Sequence, residues 1–348
     1  MISGMPWPAP GGQLIASTLM LLLLAVLASP AAAQDTVVLQ VPGQEGTTRV
    51  GGRVVEYTGR QLELEIGGSH RRTVPAEQVL RVETHHTAEQ TEADALFDER
   101  RFAEALARYK QALDREPRTW VRRRIVAQVV WCHRALGQVE QAGETFLVLL
   151  SSDPHTLDFD AIPLAWMPGQ PSVSLEQAAR RWLAREEPAA GLMGASHLLA
   201  GSRRLEAQRR LRELSTSSDR RVAMLATAQL WRTAVATVDA DAVQRWARLV
   251  EQLPDALAVG PYYVLGQAYA RLGQWEPAAL AMLRAPLVDP RDRPLAARAL
   301  VDAGRALEQL GRNREAAGLY QEVLRDYPEQ TRAAAEAESR LNAGSSTP

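Results

Sequence analysis

The chain has 348 residues, of which 46% are hydrophobic and 23% are charged, an ordinary composition for a folded protein. Its 40 basic and 41 acidic side chains leave a formal net charge of −1, which excludes binding to polyanions through overall charge. At this length we expect two or three structural units or one elongated array. The single cysteine, Cys132, excludes an internal disulfide, so the packing of the core must hold the fold.

Residues 1–33 form a predicted signal peptide. An uncharged apolar run covers residues 14–28 ("LIASTLMLLLLAVLA") and small residues follow at Ala31 and Ala33. An apolar core of about 7–15 residues before an A-x-A site is typical of secretory signals, whereas a membrane span needs roughly 20. We predict cleavage after Ala33 and a periplasmic or secreted mature protein. Because no Lys or Arg precedes the run, an uncleaved membrane anchor stays open as the alternative.

Residues 35–84 alternate apolar and polar side chains, a pattern typical of short strands. The predicted strands are "TVVLQV" (36–41), "RVGGRVVEY" (49–57), "RQLELEI" (60–66), "RRTVP" (71–75) and "VLRVE" (79–83). Five short strands indicate a small, strongly bent barrel, with Gly51 and Gly52 allowing the bend. The pattern "GRVVEYTGRQLELEIGG" resembles the small SH3-like or Sm-like barrels.

That resemblance suggests nucleic-acid binding as a function, but the charges of residues 35–89 do not favour it. Between Asp35 and Glu89 there are six basic and eight acidic residues, a net charge of −2, and Tyr57 is the only aromatic residue. Binding to nucleic acids needs a positive surface and usually stacking aromatic side chains. We therefore predict no nucleic-acid partner for this unit.

From about Thr87 the sequence becomes helical, and four of its segments share one set of spacings. Gly266, Ala278, Met282, Ala285 and Pro290 are separated by 12, 4, 3 and 5 residues. The same gaps recur in three further sets: Gly304, Ala316, Tyr320, Val323 and Pro328; Ala93, Ala105, Tyr109, Ala112 and Pro117; and Val130, Ala142, Phe146, Leu149 and Pro154. These matching gaps indicate an internal repeat.

Each repeat position has a physical role in a pair of antiparallel helices. Small residues at the first two positions let the helices approach closely, and the bulky third residue is expected to wedge into the next helix. Gly137, Gly273 and Gly311 lie midway between the small positions, where the first helix must end in a tight turn. The pattern resembles the tetratricopeptide repeat, a 34-residue helix–turn–helix unit, over residues 259–330 and less closely over 87–154. The predicted fold class is therefore α+β multidomain, mainly an α-solenoid preceded by the small all-β barrel.

Residues 155–173, which we call the linker, interrupt this predicted array. The linker holds three prolines and no helical period, and we expect Phe159, Ile162, Leu164 and Trp166 to be exposed. An irregular segment of this length usually either packs as a plug or binds something. The two interpretations are a seal between two helical sub-arrays and a binding segment.

Beyond the linker the repeat signal weakens and then returns. We interpret residues 174–256 as degenerate helical repeats, starting with an extra helix at about 174–186 whose Ser174 and Gln177 have the spacing of a capping box. Residues 331–348 are predicted to form a capping helix and a disordered tail.

The resemblance to tetratricopeptide repeats implies a concave surface lined by the first helix of each pair. The residues expected to be exposed there, and hence the candidate partner-binding residues, are Tyr263, Gln267, Arg271, Arg298, Arg305 and Arg134. Their arginines favour a protein partner with an acidic segment. The predicted function is an exported, non-catalytic scaffold for protein–protein interaction.

Candidate chemistry is sparse in this sequence. No H-E-x-x-H, G-x-S-x-G, P-loop or G-x-G-x-x-G motif occurs. His85 and His86 are adjacent, and neighbours cannot both point at one ion from a regular element, so we predict no metal site, no cofactor and no catalytic residue. Two alternatives stay open: a cell-envelope enzyme with a site between the barrel and the linker, and a membrane-tethered assembly factor.

Overall fold

The computed structural model describes residues 34–41, 43 and 46–345. The predicted signal peptide and the last three residues of the predicted tail lie outside the described residues. The described residues divide into two compact units, one ending at His86 and the other beginning at Thr87, and each is described by itself.

The first unit is a five-stranded antiparallel sheet. In chain order its strands are β1 (Asp35–Gln40), β2 (Thr47–Tyr57), β3 (Gln61–Ile66), β4 (His70–Pro75) and β5 (Val79–Glu83), with a 3-10 turn at Ala76–Gln78 before β5. The strand order is β4-β3-β2-β1-β5, so four strands form a meander and the fifth returns beside the first. Each strand begins and ends within two residues of its prediction.

The long strand β2 joins the two halves of this sheet. Up to Gly52 it pairs with β1, and from Arg53 onward it pairs with β3. The backbones are close at the change of partner, because a Cβ atom on Gly52 would lie 2.6 Å from the Glu65 carbonyl oxygen. The buried carboxylate of Asp35 accepts hydrogen bonds from the Val54 N–H, at 2.7 Å, and from the Thr84 hydroxyl. These bonds fix the start of β1 against β2 and against the end of β5.

The second unit is helical. Its helices in the described residues are α1 (Ala88–Asp98), α2 (Phe102–Arg115), α3 (Thr119–Ala135), α4 (Val139–Ser152), α5 (Val173–Leu183), α6 (Pro188–Leu198), α7 (Arg204–Leu214), α8 (Arg220–Ala234), α9 (Ala240–Val250), α10 (Asp255–Arg271), α11 (Trp275–Val288), α12 (Arg293–Gln309), α13 (Asn313–Asp326) and α14 (Thr331–Ser345). Most consecutive helices pack against each other, and from α3 onward their buried side chains form one continuous apolar core.

Left-handed residues end the first helix of each predicted repeat. Gly137, Gly273 and Gly311 have φ values of 70°, 72° and 72°, which a residue without a side chain adopts at little cost. Arg100 stands at the same repeat position in the first pair and is left-handed as well, with φ 63°. The turn geometry of the repeat is therefore kept where the glycine is missing.

In two repeats the bulky residue lies against the small first position of its own helical pair. The Tyr320 ring lies against Gly304 of the preceding helix. A Cβ atom on Gly304 would come within 2.4 Å of that ring, and one on Gly266 within 2.6 Å of Met282 Cγ. The small first position thus receives the bulky third position of the same helical pair.

The linker is buried, contrary to its expected exposure. Phe159, Ile162, Leu164 and Trp166 are 2%, 4%, 7% and 8% exposed and belong to the core of the helical unit. The extra helix begins at Val173, the last residue of the linker, and its N-cap is Ser172 rather than Ser174. Side chains of other helices bind the linker's main chain: Arg134 donates to the Asp160 carbonyl, His197 to that of Pro163 and Gln229 to that of Ala165.

Contacts also join the two ends of the helical unit. Arg100, in the turn after α1, donates a hydrogen bond of 2.7 Å to the carbonyl of Asp326, the last residue of α13. Arg134 of α3 forms an ion pair of 2.5 Å with Asp292, which caps α12. The first and last predicted repeats therefore contact each other.

Candidate binding groove

A groove of about 690 Å³ lies on the inner face of the last helices. Its walls come from α10, α11, α12 and the beginning and middle of α14, and the linker residues Met167 and Pro168 close one side. Apolar side chains such as Trp275 and Met282 alternate there with charged and amide groups. This mixture of apolar and polar surface is typical of sites that bind small molecules or peptide segments.

Tyr263 lies in the floor of the groove and is buried, at 1% exposure, which corrects its expected exposure. Its hydroxyl donates to Asp302 Oδ2 at 2.9 Å and accepts from Gln267 Nε2 at 3.1 Å. Burial and the nearby carboxylate of Asp302 raise the pKa of Tyr263 above its ordinary value, so the phenol stays protonated. Tyr263 thus connects α10 to α12 and offers little surface to a partner.

The predicted arginines of the groove are already bound to carboxylates. Arg298 Nε lies 3.0 Å from Asp302 Oδ2 and its Nη1 lies 2.7 Å from Glu336 Oε2. Although burial lowers the pKa of Arg298, its hydrogen bonds to these carboxylates raise it overall. Arg305 reaches the same two carboxylates at longer distances, 3.5 and 3.8 Å.

Most arginines of the groove are therefore paired with carboxylates. Its lining includes four arginines, Arg298, Arg305, Arg332 and Arg340, against the three acids Asp302, Glu308 and Glu329, a balance of +1. Arg340 pairs with Glu308 at 3.0 Å. In the described part of the chain, Arg332 alone of the four has no carboxylate within ion-pair distance. The expectation of an acidic partner rested on free arginines, and most of these are neutralised.

Two predicted residues lie elsewhere. Arg271, at the C-terminal end of α10, is exposed but is not part of the groove lining. Arg134 lines a different, smaller cavity, where it pairs with Asp292 and lies 4.1 Å above the Trp131 ring. The structure thus brings together Tyr263, Gln267, Arg298 and Arg305, and separates Arg271 and Arg134 from them.

Two carboxylates that organise the groove, Asp302 and Glu336, were not predicted from the sequence. Asp302 is four residues after Arg298, a spacing that places both on one helix face and favours an ion pair. That spacing was the available signal. Glu336 is contributed by α14, and no local pattern indicates that this helix packs beside Arg298.

Two general features bear on what the chain does. Among residues 34–41, 43 and 46–345, no three His, Cys, Asp or Glu side chains are grouped so that they hold a metal ion. Within the same residues, no helix has the length and apolar character needed to cross a membrane.

Comparison with known proteins identifies the repeat type. The family model for the tetratricopeptide repeat matches residues 298–329, a span that includes most of α12, all of α13 and therefore one wall of the groove. A search of curated proteins found no match to the chain. The family match and the mostly helical architecture support a tetratricopeptide-repeat protein, a class that usually binds protein partners.

Proposed function

We propose that this protein is an exported, non-catalytic scaffold whose groove binds an extended segment of a protein partner. The observation that carries the proposal is the position of the groove: it lies on the inner helices of the repeats, and one of its walls is the matched tetratricopeptide repeat. Stacked helical repeats use such concave surfaces for binding.

The groove also suggests the character of the partner segment. Because Arg298, Arg305 and Arg340 already pair with carboxylates, a strongly acidic partner would have to compete with Asp302, Glu308 and Glu336. A segment with apolar side chains and a few polar groups fits better. Its apolar groups would contact Trp275 and Met282 and its polar groups the unpaired Arg332, with a few anchor residues contributing most of the affinity.

The N-terminal segment supports the export part of the proposal. The apolar run at residues 14–28 and the small residues Ala31 and Ala33 support a cleaved signal peptide and a periplasmic or secreted protein. N-terminal sequencing of the mature protein is expected to read from Gln34, and a protein that still begins at Met1 would be anchored rather than exported.

For the first unit we propose an SH3-like barrel. Its strand order β4-β3-β2-β1-β5 supports this, as does β2, which pairs with both β1 and β3.

Site-specific photocrosslinking in intact cells tests the groove. A photoreactive phenylalanine analogue replaces Gln309 or Arg332, which line the groove. Matched controls carry it at Leu280 of α11 or Glu322 of α13, which do not line the groove. We expect one defined protein partner to be captured from the groove positions and not from the controls.

A variant that fills the groove tests whether the captured partner lies in it. Ala306 lines the groove and is 2% exposed, so Ala306→Leu adds bulk at the groove floor. Capture from Gln309 is expected to fall in this variant while the helical circular dichroism is retained. Equal capture from groove and control positions, or none from either, would rule out the groove as the binding site.

A further inference from the structure

A second cavity, of about 250 Å³, lies under the linker. Linker residues from Pro163 to Pro171 form one wall, and single residues of the helical unit form the others, among them Val139, Leu175 and Arg232. Its volume is below the roughly 300–1,000 Å³ of sites for drug-sized molecules, so a ligand there must be small. Leu164, Trp166 and Leu295 make much of the wall apolar.

The charged groups of this cavity do not cancel. The lining contains the cations Arg134 and Arg232 and a single carboxylate, Asp292. Asp292 is engaged by Arg134 at 2.5 Å. His197, which also lines the cavity, adds no charge near neutral pH because burial lowers its pKa to about 4. The cavity therefore carries a net charge of +1, located at Arg232.

Arg232 is largely buried without an anionic partner. Its guanidinium donates only to neutral oxygens, those of the Ser196 carbonyl at 3.0 Å, the Gln229 side chain at 2.6 Å and the Met167 carbonyl at 3.3 Å. None of its hydrogen-bond partners among the described residues is a carboxylate. A guanidinium has five N–H donors, so two remain unused. Burial lowers the pKa of Arg232 to about 10, the direction expected for a cation that lacks a counter-charge.

We infer that this cavity is a binding site for a small organic monocarboxylate, whose carboxylate pairs with Arg232 and whose apolar tail contacts the linker. The unused N–H donors provide charge-assisted hydrogen bonds, which are stronger than those between neutral groups. Leu164, Leu175 and Leu295 provide the apolar surface. The inference goes beyond the proposed function, because Arg232 does not line the groove and the site needs no protein partner.

Binding of hexanoate to the purified protein tests the site. Hexanoate has the expected charge and tail, and hexanamide has the same tail without the charge. Thermal unfolding and calorimetric titration are carried out at constant ionic strength set with sodium chloride. We expect hexanoate to raise the Tm and to bind with a stoichiometry of one, and hexanamide to do neither. Equal effects of the two compounds, or no binding of hexanoate, would overturn the inference.

Two variants test whether the carboxylate of hexanoate binds at Arg232. Arg232→Gln is expected to weaken hexanoate binding about 10- to 100-fold, the range for losing one hydrogen bond to a charged group. The matched control Arg271→Gln, at an exposed arginine outside the cavity, is expected to bind hexanoate normally. Because Arg232 also holds the linker, Val139→Phe provides a second variant: it adds bulk at the cavity wall and leaves Arg232 in place. Unchanged affinity in Arg232→Gln or in Val139→Phe contradicts the site.

A further test distinguishes a free small acid from the C-terminal carboxylate of a peptide. It is needed because the cavity and the groove share Met167, Pro168 and Pro294 as lining residues. A peptide end lying in the groove could therefore reach the cavity. Acetyl-Ala-Pro-Ala with a free carboxylate is compared with its amide as a competitor of hexanoate. We expect neither peptide to displace hexanoate, even when the peptide is at the concentration at which hexanoate saturates the site. Displacement of hexanoate by the acid but not by the amide contradicts a site for free small acids. Failure of any of these tests leaves the photocrosslinking result unaffected.

Discussion

The indole of Trp166 lies directly against the backbone of Gly260, so that a Cβ atom at position 260 would come within 2.0 Å of Trp166 Cε2. Gly260 belongs to α10, which forms a wall of the groove, and Trp166 belongs to the linker. Only a residue without a side chain allows this contact. The pair therefore fixes the linker against the helix that carries Tyr263 and Gln267.

The first prediction tests this contact with Gly260→Ala. Three ring atoms of Trp166 would lie 2.0 to 2.3 Å from the added methyl group, and the ring cannot move without displacing its neighbours in the core. We expect the variant to lose about 3 kcal/mol of unfolding free energy, the upper part of the usual range for an overpacked core. Urea unfolding measures the difference.

Gly318→Ala is the matched control for this substitution. Gly318 lies within α13, is exposed, and an added Cβ atom would meet nothing within 4 Å. Alanine is the better helix former by about 1 kcal/mol, so this variant is expected to be more stable than the natural chain. A Gly260→Ala protein as stable as the natural one would show that the contact does not constrain the linker.

The second prediction compares two glycines at the same repeat position. Gly304→Ala is expected to lose about 2 kcal/mol, within the range for overpacking, because the rigid Tyr320 ring lies where the methyl group must go. Gly266→Ala is expected to lose less, because its closest contact, at 2.6 Å, is with the flexible side chain of Met282, and the backbone atoms beside it lie farther away, at 3.1 and 3.3 Å. A double-mutant cycle with Tyr320→Ala provides the check: the loss from Gly304→Ala should shrink when the ring is absent. An unchanged loss in the cycle rules out the ring as the cause.

The third prediction concerns Arg100, the left-handed residue at the glycine position of the first pair. Arg100→Ala removes the hydrogen bond to the Asp326 carbonyl and keeps the strained backbone. Arg100→Gly removes the same bond and relieves the strain. We therefore expect Arg100→Gly to be more stable than Arg100→Ala by about 1 kcal/mol, the usual difference where φ is positive. Thermal unfolding of both variants in parallel measures it, and the reverse order would argue against strain at this turn.

The repeats were predictable because their signal is local and periodic. Gaps of 12, 4, 3 and 5 residues follow from the geometry of one helical pair, and alternation over a few residues predicts a strand without knowledge of its neighbours. The linker was not predictable in this way. Its apolar residues have no period, and the groups that bind its main chain, such as His197 and Gln229, lie 34 and 64 residues away from their acceptors.

The candidate groove was predictable only in part, for a related reason. The repeat register indicates which residues of a helix point inward, and on that basis Gln267, Arg298 and Arg305 were placed on the inner face, where they line the groove. It does not indicate which inward residues pair with one another. The charge of the groove depends on Asp302, which pairs with arginines of its own helix, and on Glu336, which pairs with Arg298 from another helix. Because the second pairing has no local signal, the expected acidic partner could not be evaluated from sequence.

The last prediction uses the buried imidazole of His197, whose Nε2 lies 2.9 Å from the Pro163 carbonyl oxygen and therefore carries the proton. Burial lowers the pKa of His197 to about 4; the hydrogen bond to Pro163 opposes this change, and the nearby charges of Arg232 and Arg134 add to it. In an unfolded chain the pKa of histidine is about 6.5. Between these values the unfolded state binds a proton that the folded state does not. Stability is therefore complete above about pH 6.5 and falls as the pH decreases toward about 4.

A second buried group has the opposite effect in the same pH range and must be removed from the experiment. Burial raises the pKa of Asp158 to about 6, so this carboxylate favours the folded state as the pH falls. We therefore compare Asp158→Asn with the double variant Asp158→Asn/His197→Gln by urea unfolding between pH 4 and pH 8. Asp158→Asn alone is expected to lose about 3 kcal/mol more stability across this range than the double variant, the value of a pKa difference of this size. Parallel pH profiles would show that His197 is not the group that titrates on unfolding.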